Sequence, residues 1–320
     1  MEENTEQRVD LTLFSEKIQE LKDRIASVIV GQEQTVDLIL TAILANGHVL
    51  IEGVPGVAKT LLARLTARLI DADFSRVQFT PDLMPSDVLG TTVFNMKTNG
   101  FDFHQGPIFA DIVLVDEINR APAKTQAALF EVMEERQISI DGTTHRMGDL
   151  YTILATQNPV EQEGTYKLPE AQLDRFLMKI TMDYPSLEEE VNILERHHTN
   201  AALVKLDDIT PAITKEEVLS LRAFMNQVFV DRTLLQYIAL IVQQTRTSKA
   251  VYLGASPRAS VSMLQSSKAY ALLQGRDFVT PEDIKFVAPY VLQHRLILTA
   301  EAEMEGYSPV KVTQRLIDKV

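Results

Sequence analysis

Gly53-Val-Pro-Gly-Val-Ala-Lys-Thr60 constrains this chain more than any other stretch. It follows an apolar run, His48-Val-Leu-Ile-Glu52, and precedes leucines at helical spacing, Leu61, Leu62, Leu65 and Leu69. Strand, glycine turn, Lys-Thr and helix form the layout of a loop that wraps phosphate. Gly53 and Gly56 let the backbone turn tightly and bring N–H groups to phosphate oxygens. The following helix aims the positive end of its dipole at the same oxygens. Gly53, Val54, Pro55, Gly56, Val57, Ala58, Lys59, Thr60 and Leu61 are therefore the candidate cradle. Lys59 is read as the cation on the outer phosphates and the Thr60 hydroxyl as a Mg²⁺ ligand. The strict pattern has glycine before the lysine. Here it is Ala58, the smallest residue with a Cβ, so the departure is read as small.

A second motif supports the first. Ile112-Val-Leu-Val115 is a short continuous apolar run, as a buried parallel strand requires. It ends in Asp116-Glu117. Carboxylates at the end of a buried strand lie at the carboxyl edge of the sheet, where α/β ligands bind. Asp116 is read as a holder of the Mg²⁺ shell and Glu117 as the general base that polarises water.

The rest of the chain is organised around these motifs. Residues 1–30 read as helical, with Leu11, Leu13, Phe14, Ile18, Leu21, Ile25 and Val28 on one broad stripe. Val30-Gly31-Gln32 breaks it, and Val36, Ile39, Leu40, Ile43 and Leu44 recur at helical spacing. Strand-like runs follow at Arg76–Thr80, Ile112–Val115, Thr152–Thr156 and Phe176–Met182, with a helix over Ala123–Glu135. Alternating strands and helices predict a parallel sheet flanked by helices. Two β-hairpins interrupt it, one over Thr91–Phe103 around Asn99-Gly100, one over Ile138–Met147 around Asp141-Gly142. Beyond residue 186 the strands stop, and helices are predicted over Glu188–His198, Lys215–Phe229, Arg232–Thr245, Pro257–Leu273 and Pro281–Leu292. Thr280-Pro-Glu-Asp283 is a helix start, with an N-cap, proline first and acids in the first turn. The expectation is an α/β domain over 1–186 and a smaller all-α domain over 187–320.

Composition narrows the function classes. The 320 residues carry 44 acidic and 31 basic side chains, a formal net charge of −13. That sign disfavours binding nucleic acid through its phosphates. There is no cysteine, hence no disulfide, thiolate metal site or cysteine nucleophile. The acidic start, Met1-Glu-Glu-Asn-Thr-Glu6, is unlike a secretory signal, and no apolar run approaches the ~20 residues that span a bilayer. A cytoplasmic protein is expected. Glu195-Arg-His197-His198 contains a Glu-x-x-His spacing without a matching motif. Adjacent histidines on a helix point about 100° apart, so the segment is read as a solvated face.

With these stretches, Asp116-Glu117-Ile-Asn-Arg120-Ala-Pro-Ala-Lys-Thr-Gln126, Ala155-Thr-Gln-Asn158-Pro159 and Leu173-Asp-Arg175-Phe, the chain resembles a MoxR-type AAA+ ATPase over nearly its whole length. The hairpins resemble the helix-2 and pre-sensor-1 inserts that magnesium chelatase ATPase subunits share, and the helical tail resembles the AAA+ lid. The resemblance implies a P-loop NTPase fold, ATP and Mg²⁺ as ligands, and a ring, hexameric by analogy. It implies partners with von Willebrand factor A domains or other client proteins, matured or remodelled by the ATPase. It makes Asn158 the sensor that orients the attacking water and Arg175 an arginine finger placed in a neighbour's site. Arg120 is a second candidate for contact across the subunit boundary. It places Gly31 and Gln32 against adenine and makes Arg258 a second sensor. Gly254-Ala-Ser256-Pro257-Arg258 also reads as a helix start with Ser256 as N-cap. A cation in a first turn opposes the helix dipole, and a nearby anion such as a γ-phosphate would offset that. Two rival readings are a DNA-acting motor and a nucleotide-gated scaffold with little turnover. The charge speaks against the first, and Glu117 with Asn158 against the second.

Overall fold

The computed structural model describes residues 11–158, 165–199 and 206–320. The first ten residues of the predicted opening helix and Pro159 lie outside them. The elements run α1 (Leu11–Val28), α2 (Glu33–Leu44), β1 (Val49–Gly53), α3 (Lys59–Leu69), β2 (Phe74–Gln78) and α4 (Pro85–Leu89). The hairpin of β3 (Gly90–Asn95) and β4 (Gly100–Gln105) follows, then β5 (Ile112–Asp116) and α5 (Ala123–Glu135). A second hairpin, β6 (Gln137–Ile140) and β7 (Thr143–Arg146), leads to β8 (Thr152–Gln157), α6 (Glu170–Leu173) and β9 (Met178–Met182). The remainder is α7 (Leu187–His198), α8 (Lys215–Phe224), α9 (Arg232–Thr247), β10 (Val251–Leu253), α10 (Pro257–Leu273), α11 (Pro281–Leu292), β11 (Ile297–Leu298), α12 (Ala300–Met304) and α13 (Pro309–Ile317).

One parallel five-stranded sheet, in the order β2-β5-β8-β1-β9, organises the molecule. Side chains alternate between its faces. Val49, Ile51, Leu114 and Leu154 join a core with α2, α3 and the C-terminal helices. Leu50, Val113, Val115, Ile153 and Ala155 join a second core under α5, with Phe130 and Phe176 stacked edge to face at 5.8 Å.

Both hairpins form antiparallel as predicted. Asp141 and Gly142 both take positive φ between Ile140 and Thr143, the conformation a two-residue hairpin turn demands. The first hairpin differs. Asn95 pairs with Gly100, so residues 96–99 form a four-residue loop with Asn99 left-handed and Gly100 in the strand. The C-terminal region is helical, with one departure from the all-α reading. Val251–Leu253 and Ile297–Leu298 pair as a short antiparallel ribbon, too brief to register as a sequence period. Helices α12 and α13 complete the region, beyond the last element the sequence predicts. Among the described residues no helix is long and apolar enough to cross a membrane.

Two histidines are held neutral in this frame, His48 fully buried and His294 half-buried. His48 lies between Met133 O, 3.1 Å from Nε2, and the Ile153 N–H, which donates to Nδ1 at 3.0 Å. Burial, then Arg136, lowers its pKa to about 3. Burial, then Arg295, holds His294 well below the ordinary histidine value. A base whose folded pKa is depressed leaves the unfolded chain with more bound protons below about pH 6.5, so stability falls as pH falls through that value. Between pH 7 and pH 5.5 His48 alone should cost about 1 kcal/mol of folding stability, read from denaturant midpoints, with His294 acting in the same direction. The His48 ring should not titrate above pH 5 in the folded protein and His294 should titrate well below the ordinary histidine value, and a titration of either near pH 6.5 would contradict this assignment.

Candidate functional site

Three adjacent strands, β5, β8 and β1, end side by side. Val115 pairs with Ala155 and Glu52 with Gln157, so Asp116-Glu117, Asn158 and the turn after Gly53 emerge at one edge. Asp116 and Asn158 are both buried. The Thr156 hydroxyl donates to Asp116 Oδ1 at 3.0 Å and accepts the Glu117 N–H at 3.0 Å. Glu117 itself is left-handed, φ 56°. Such backbone conformations cost energy and concentrate at functional sites.

Within the loop the two glycines answer different demands. A Cβ on Gly53 would lie 2.7 Å from the Met182 carbonyl oxygen, so β9 packs too close for any side chain there. Gly56 has open space around it but a φ of +88°. Lys59 Nζ donates to the Gly53 carbonyl at 2.5 Å. Ala58 is left-handed, φ 59°. This corrects the reading of that substitution as small. The difficulty is the backbone region rather than the volume, and it costs an L-residue about 1–2 kcal/mol.

Beside the loop is a cavity of about 260 Å³. Val28, Ile29, Val30 and Gln32 form one wall, Gly56, Val57, Ala58 and Leu61 a second, and Pro185, Ile193, Arg196 and His197 a third. Apolar walls with a few polar groups suit a nucleobase. The Thr35 hydroxyl donates to Gln32 Oε1 at 2.9 Å. Gly31 does not line the cavity: at φ +73° it turns the chain, and a Cβ there would collide with Glu189. In the Glu195–His198 segment, read as a solvated face, Glu195, His197 and His198 are exposed, and Arg196 is the departure. Arg196 donates to the Ala26 and Ser27 carbonyls at 3.0 and 2.8 Å, pinning α7 to the end of α1, and His197 helps close the cavity. No helical period could have announced this contact between segments so far apart in sequence.

The strand predicted over Arg76–Thr80 forms as β2, Phe74–Gln78, but the sequence reading gave its polar side chains no role. Arg76 Nε donates to Asp116 Oδ2 at 2.7 Å, and Gln78 Nε2 donates to Glu117 Oε2 at 2.8 Å. Arg120 Nε lies 3.0 Å from the same Glu117 oxygen. The alternation of Arg76 and Gln78 on one side of a strand ending beside β5 was the available signal. Thr60 and Arg76 line a second cavity, of about 540 Å³, with Arg64 and Arg68. Thr60 thus borders a basic space, and Asp116 is joined to it through the bond to Arg76. Their hydroxyl and carboxylate oxygens are the hard donors Mg²⁺ takes, so the residues present fit that ion.

Arg175 and Arg258 lie elsewhere. Leu177 N–H donates to the His48 carbonyl, and Met178 pairs with Val49, so Arg175 sits at the opposite edge of the sheet. Five strand residues separate the edges by about 16 Å. Arg258 Nη2 bonds Glu134 at 2.6 Å, and Arg175 Nε lies 4.0 Å from the same carboxylate. Both arginines line one surface depression with Asn46, Gly47 and His48. The anion that offsets the Arg258 charge is therefore Glu134, not a phosphate on the same chain. Ser256 does not cap α10 with its hydroxyl, which instead donates to Asp174 at 3.3 Å.

Residues 48–178 match the family described as ATPase family associated with various cellular activities (AAA), and residues 243–318 match the AAA lid domain. Chaperone MoxR1 of Mycobacterium tuberculosis is 44% identical, the alignment covering 92% of this chain and 79% of that protein. The chain belongs to the MoxR family of AAA+ ATPases. The uncharacterized protein YeaC of Bacillus subtilis is 47% identical over 93% of this chain and 92% of its own. A candidate ATPase from Cytophaga hutchinsonii superposes with a TM-score of 0.89 at 41% identity, covering 97% and 96% of the two chains. Membership makes this an ATP-hydrolysing enzyme of the P-loop type, with a helical lid.

Two substitutions test the local geometry. Thr156→Val removes the buried hydroxyl that joins Asp116 to the Glu117 N–H, and should cost about 1–3 kcal/mol in denaturant unfolding. Thr156→Ser should cost less. Ala58→Gly should relieve the left-handed strain and raise stability by about 0.5–1 kcal/mol after the added freedom of the unfolded chain is counted. A lower melting temperature for the glycine variant would contradict that account.

Proposed function

We propose that this MoxR-family ATPase hydrolyses ATP in a site built from two copies of the chain, and that the cycle remodels partner proteins. Lys59 would neutralise the outer phosphates, and Gln32 with the apolar cavity walls would hold adenine. Thr60 and Asp116 would hold Mg²⁺, which when bound supplies charge stabilisation on the phosphates. Glu117 would take a proton from the attacking water, with Asn158 orienting that water. Gln78 and Arg120 hold the Glu117 carboxylate and would release it as water and nucleotide arrive.

The observation that carries this reading is the separation of the charged groups. Phosphate loop and acids share one sheet edge, while Arg175 and Arg258 share the other with Glu134. Neither arginine reaches the loop of its own chain, so both would serve the loop of the next copy. A head-to-tail contact of this kind closes into a ring, hexameric by family resemblance. Arg120, already at Glu117, is assigned to positioning that carboxylate rather than to the neighbour's site. The net charge of −13 favours protein partners over nucleic acid, and von Willebrand factor A domain proteins are the partner class that the resemblance suggests. The cytoplasm, where ATP is held, is the proposed compartment, and the division at residue 186 is proposed as the boundary between ATPase domain and lid.

Glu117→Gln should bind ATP yet turn it over at least ~10²-fold more slowly, the scale for removing a general base. Near-normal phosphate release would refute its role. Arg175→Ala and Arg258→Ala should each bind ATP without hydrolysing it. Each, mixed with Lys59→Ala subunits, should recover activity above the sum of the parts and in proportion to assembly. Absence of recovery, with wild-type activity persisting in clearly monomeric solution, would sink the two-copy site.

A further inference from the structure

Helix α7 carries four apolar side chains yet buries no residue. That is unusual, because most helical stability comes from packing an apolar face. Ile193 faces the base cavity. Leu187, Val191 and Leu194 do not: at spacings of four and three residues they share a stripe about 120° around the helix from Ile193. Leu187 is 82% exposed and Leu194 64%, and Tyr184 extends the stripe toward β9. Glu188 and Glu195 flank it on one side and Glu190 on the other, all exposed.

A second exposed apolar patch has the opposite rim. Tyr252, at 79% exposure, and Leu253 stand on the β10 ribbon, and Val261 stands one turn after Arg258 on α10. Arg246 and Lys249, close to them in sequence, are exposed, as is Arg258, whose charge Glu134 partners. Arg246 is fixed there, its Nε donating to the Ala255 carbonyl at 2.9 Å. One patch therefore adjoins the base cavity with an acidic border. The other adjoins the Arg175–Arg258 pair, and Arg246 and Lys249 give it its basic border.

We propose that these two surfaces are the halves of one contact between copies of this chain: the α7 stripe of one copy receives the Tyr252–Leu253–Val261 patch of the next. The proposal rests on the two-copy site above and adds the surface that builds it. Apolar meets apolar, and acidic rim meets basic rim, so the match is complementary in both respects. The contact is also continuous with the site it serves. A patch carrying Arg258 that docks on the helix walling the base cavity delivers that arginine to the phosphates beside it. The two halves are different surfaces, so the contact is heterologous and propagates around a ring rather than stopping at a dimer. It also explains why α7 presents leucines to water in the single chain.

The natural absence of cysteine makes the test direct. Leu194→Cys and Tyr252→Cys are prepared as separate proteins, mixed with ATP and treated with a short bis-maleimide. The expected product is a two-chain adduct in the mixture and little in either variant alone. A chain carrying both cysteines should give a ladder of adducts. An adduct from Leu194→Cys alone would mean α7 pairs with itself and would overturn the proposal. So would the absence of any adduct under conditions where Lys59→Ala and Arg175→Ala subunits complement, since the chains then assemble through other surfaces. An adduct without complementation would uphold the contact and refute the shared arginines. Loss of both would refute the two-copy site and this surface together. As a second readout, Val191→Asp should lower the mixed adduct at least ~10-fold while leaving the folded single chain intact, because Val191 packs in no core.

Discussion

A guanidinium removed from water needs an acceptor for every N–H, and Arg295 has them. Its side chain is 2% exposed. It donates to Asp174 Oδ1 at 2.6 Å and to the backbone carbonyls of Asp174, Phe176, Leu177 and Val291, with Ser262 Oγ at 3.3 Å. Those acceptors come from the segment before β9, from α10 and from α11. One charge thus ties the C-terminal helices to the sheet, and its orientation leaves no slack. Breaking such a buried pair from one side costs about 3–5 kcal/mol. Because Arg295 occupies Asp174, the adjacent Arg175 is left to Glu134 and the Phe130 carbonyl. The same clamp sets α10 where Arg258 meets Glu134. The arginine pair is therefore a consequence of how the lid is anchored.

At the other sheet edge the constraint is backbone geometry. Ala58 and Glu117 are both held left-handed, one immediately before Lys59 and one immediately after Asp116. The chain accepts this strain because neighbouring structure over-determines each residue: α3 begins at once after Ala58, and the Thr156 hydroxyl takes the Glu117 N–H. Thr156 belongs to the strand between the loop and the acids, so β8 aligns the two motifs as well as contributing Asn158. Helices α1 and α7, distant in sequence, then close the base cavity through Arg196. The proposed nucleotide contact and the proposed subunit contact fall on two faces of one exposed helix.

Much of the fold was legible because its signals are local. The glycine turn with Lys-Thr, the buried run before Asp116, the Asp141-Gly142 turn and the cap over Thr280–Asp283 each express chemistry within a few residues. Thr280 N–H and hydroxyl do bind Asp283, at 2.7 and 3.0 Å. The β10–β11 ribbon was not legible, because two or three residues carry no period and their pairing spans more than forty positions of chain. Arg76, Gln78, Arg196 and His197 escaped for a related reason. Their chemistry is ordinary polar surface until a neighbouring element is brought beside them. Ser256 is instructive in the other direction: the helix starts where its cap motif says, yet the hydroxyl is diverted to Asp174 by a contact no motif encodes.

The sequence alone determined the class of the protein and the order of its elements: a parallel sheet flanked by helices, a phosphate-type loop before α3, acids after β5 and a helical tail. Hydrophobic periodicity, glycine conformation and helix capping are properties of short segments, so they survive without the fold. Tertiary structure alone decided which groups meet. It put Arg258 with Arg175 and Glu134 rather than beside its own loop, bound Arg120 to Glu117, and turned α7 into a cavity wall with an uncovered apolar back. Those outcomes depend on strand order and on where a buried charge finds its acceptors, and both are settled only when distant segments pack.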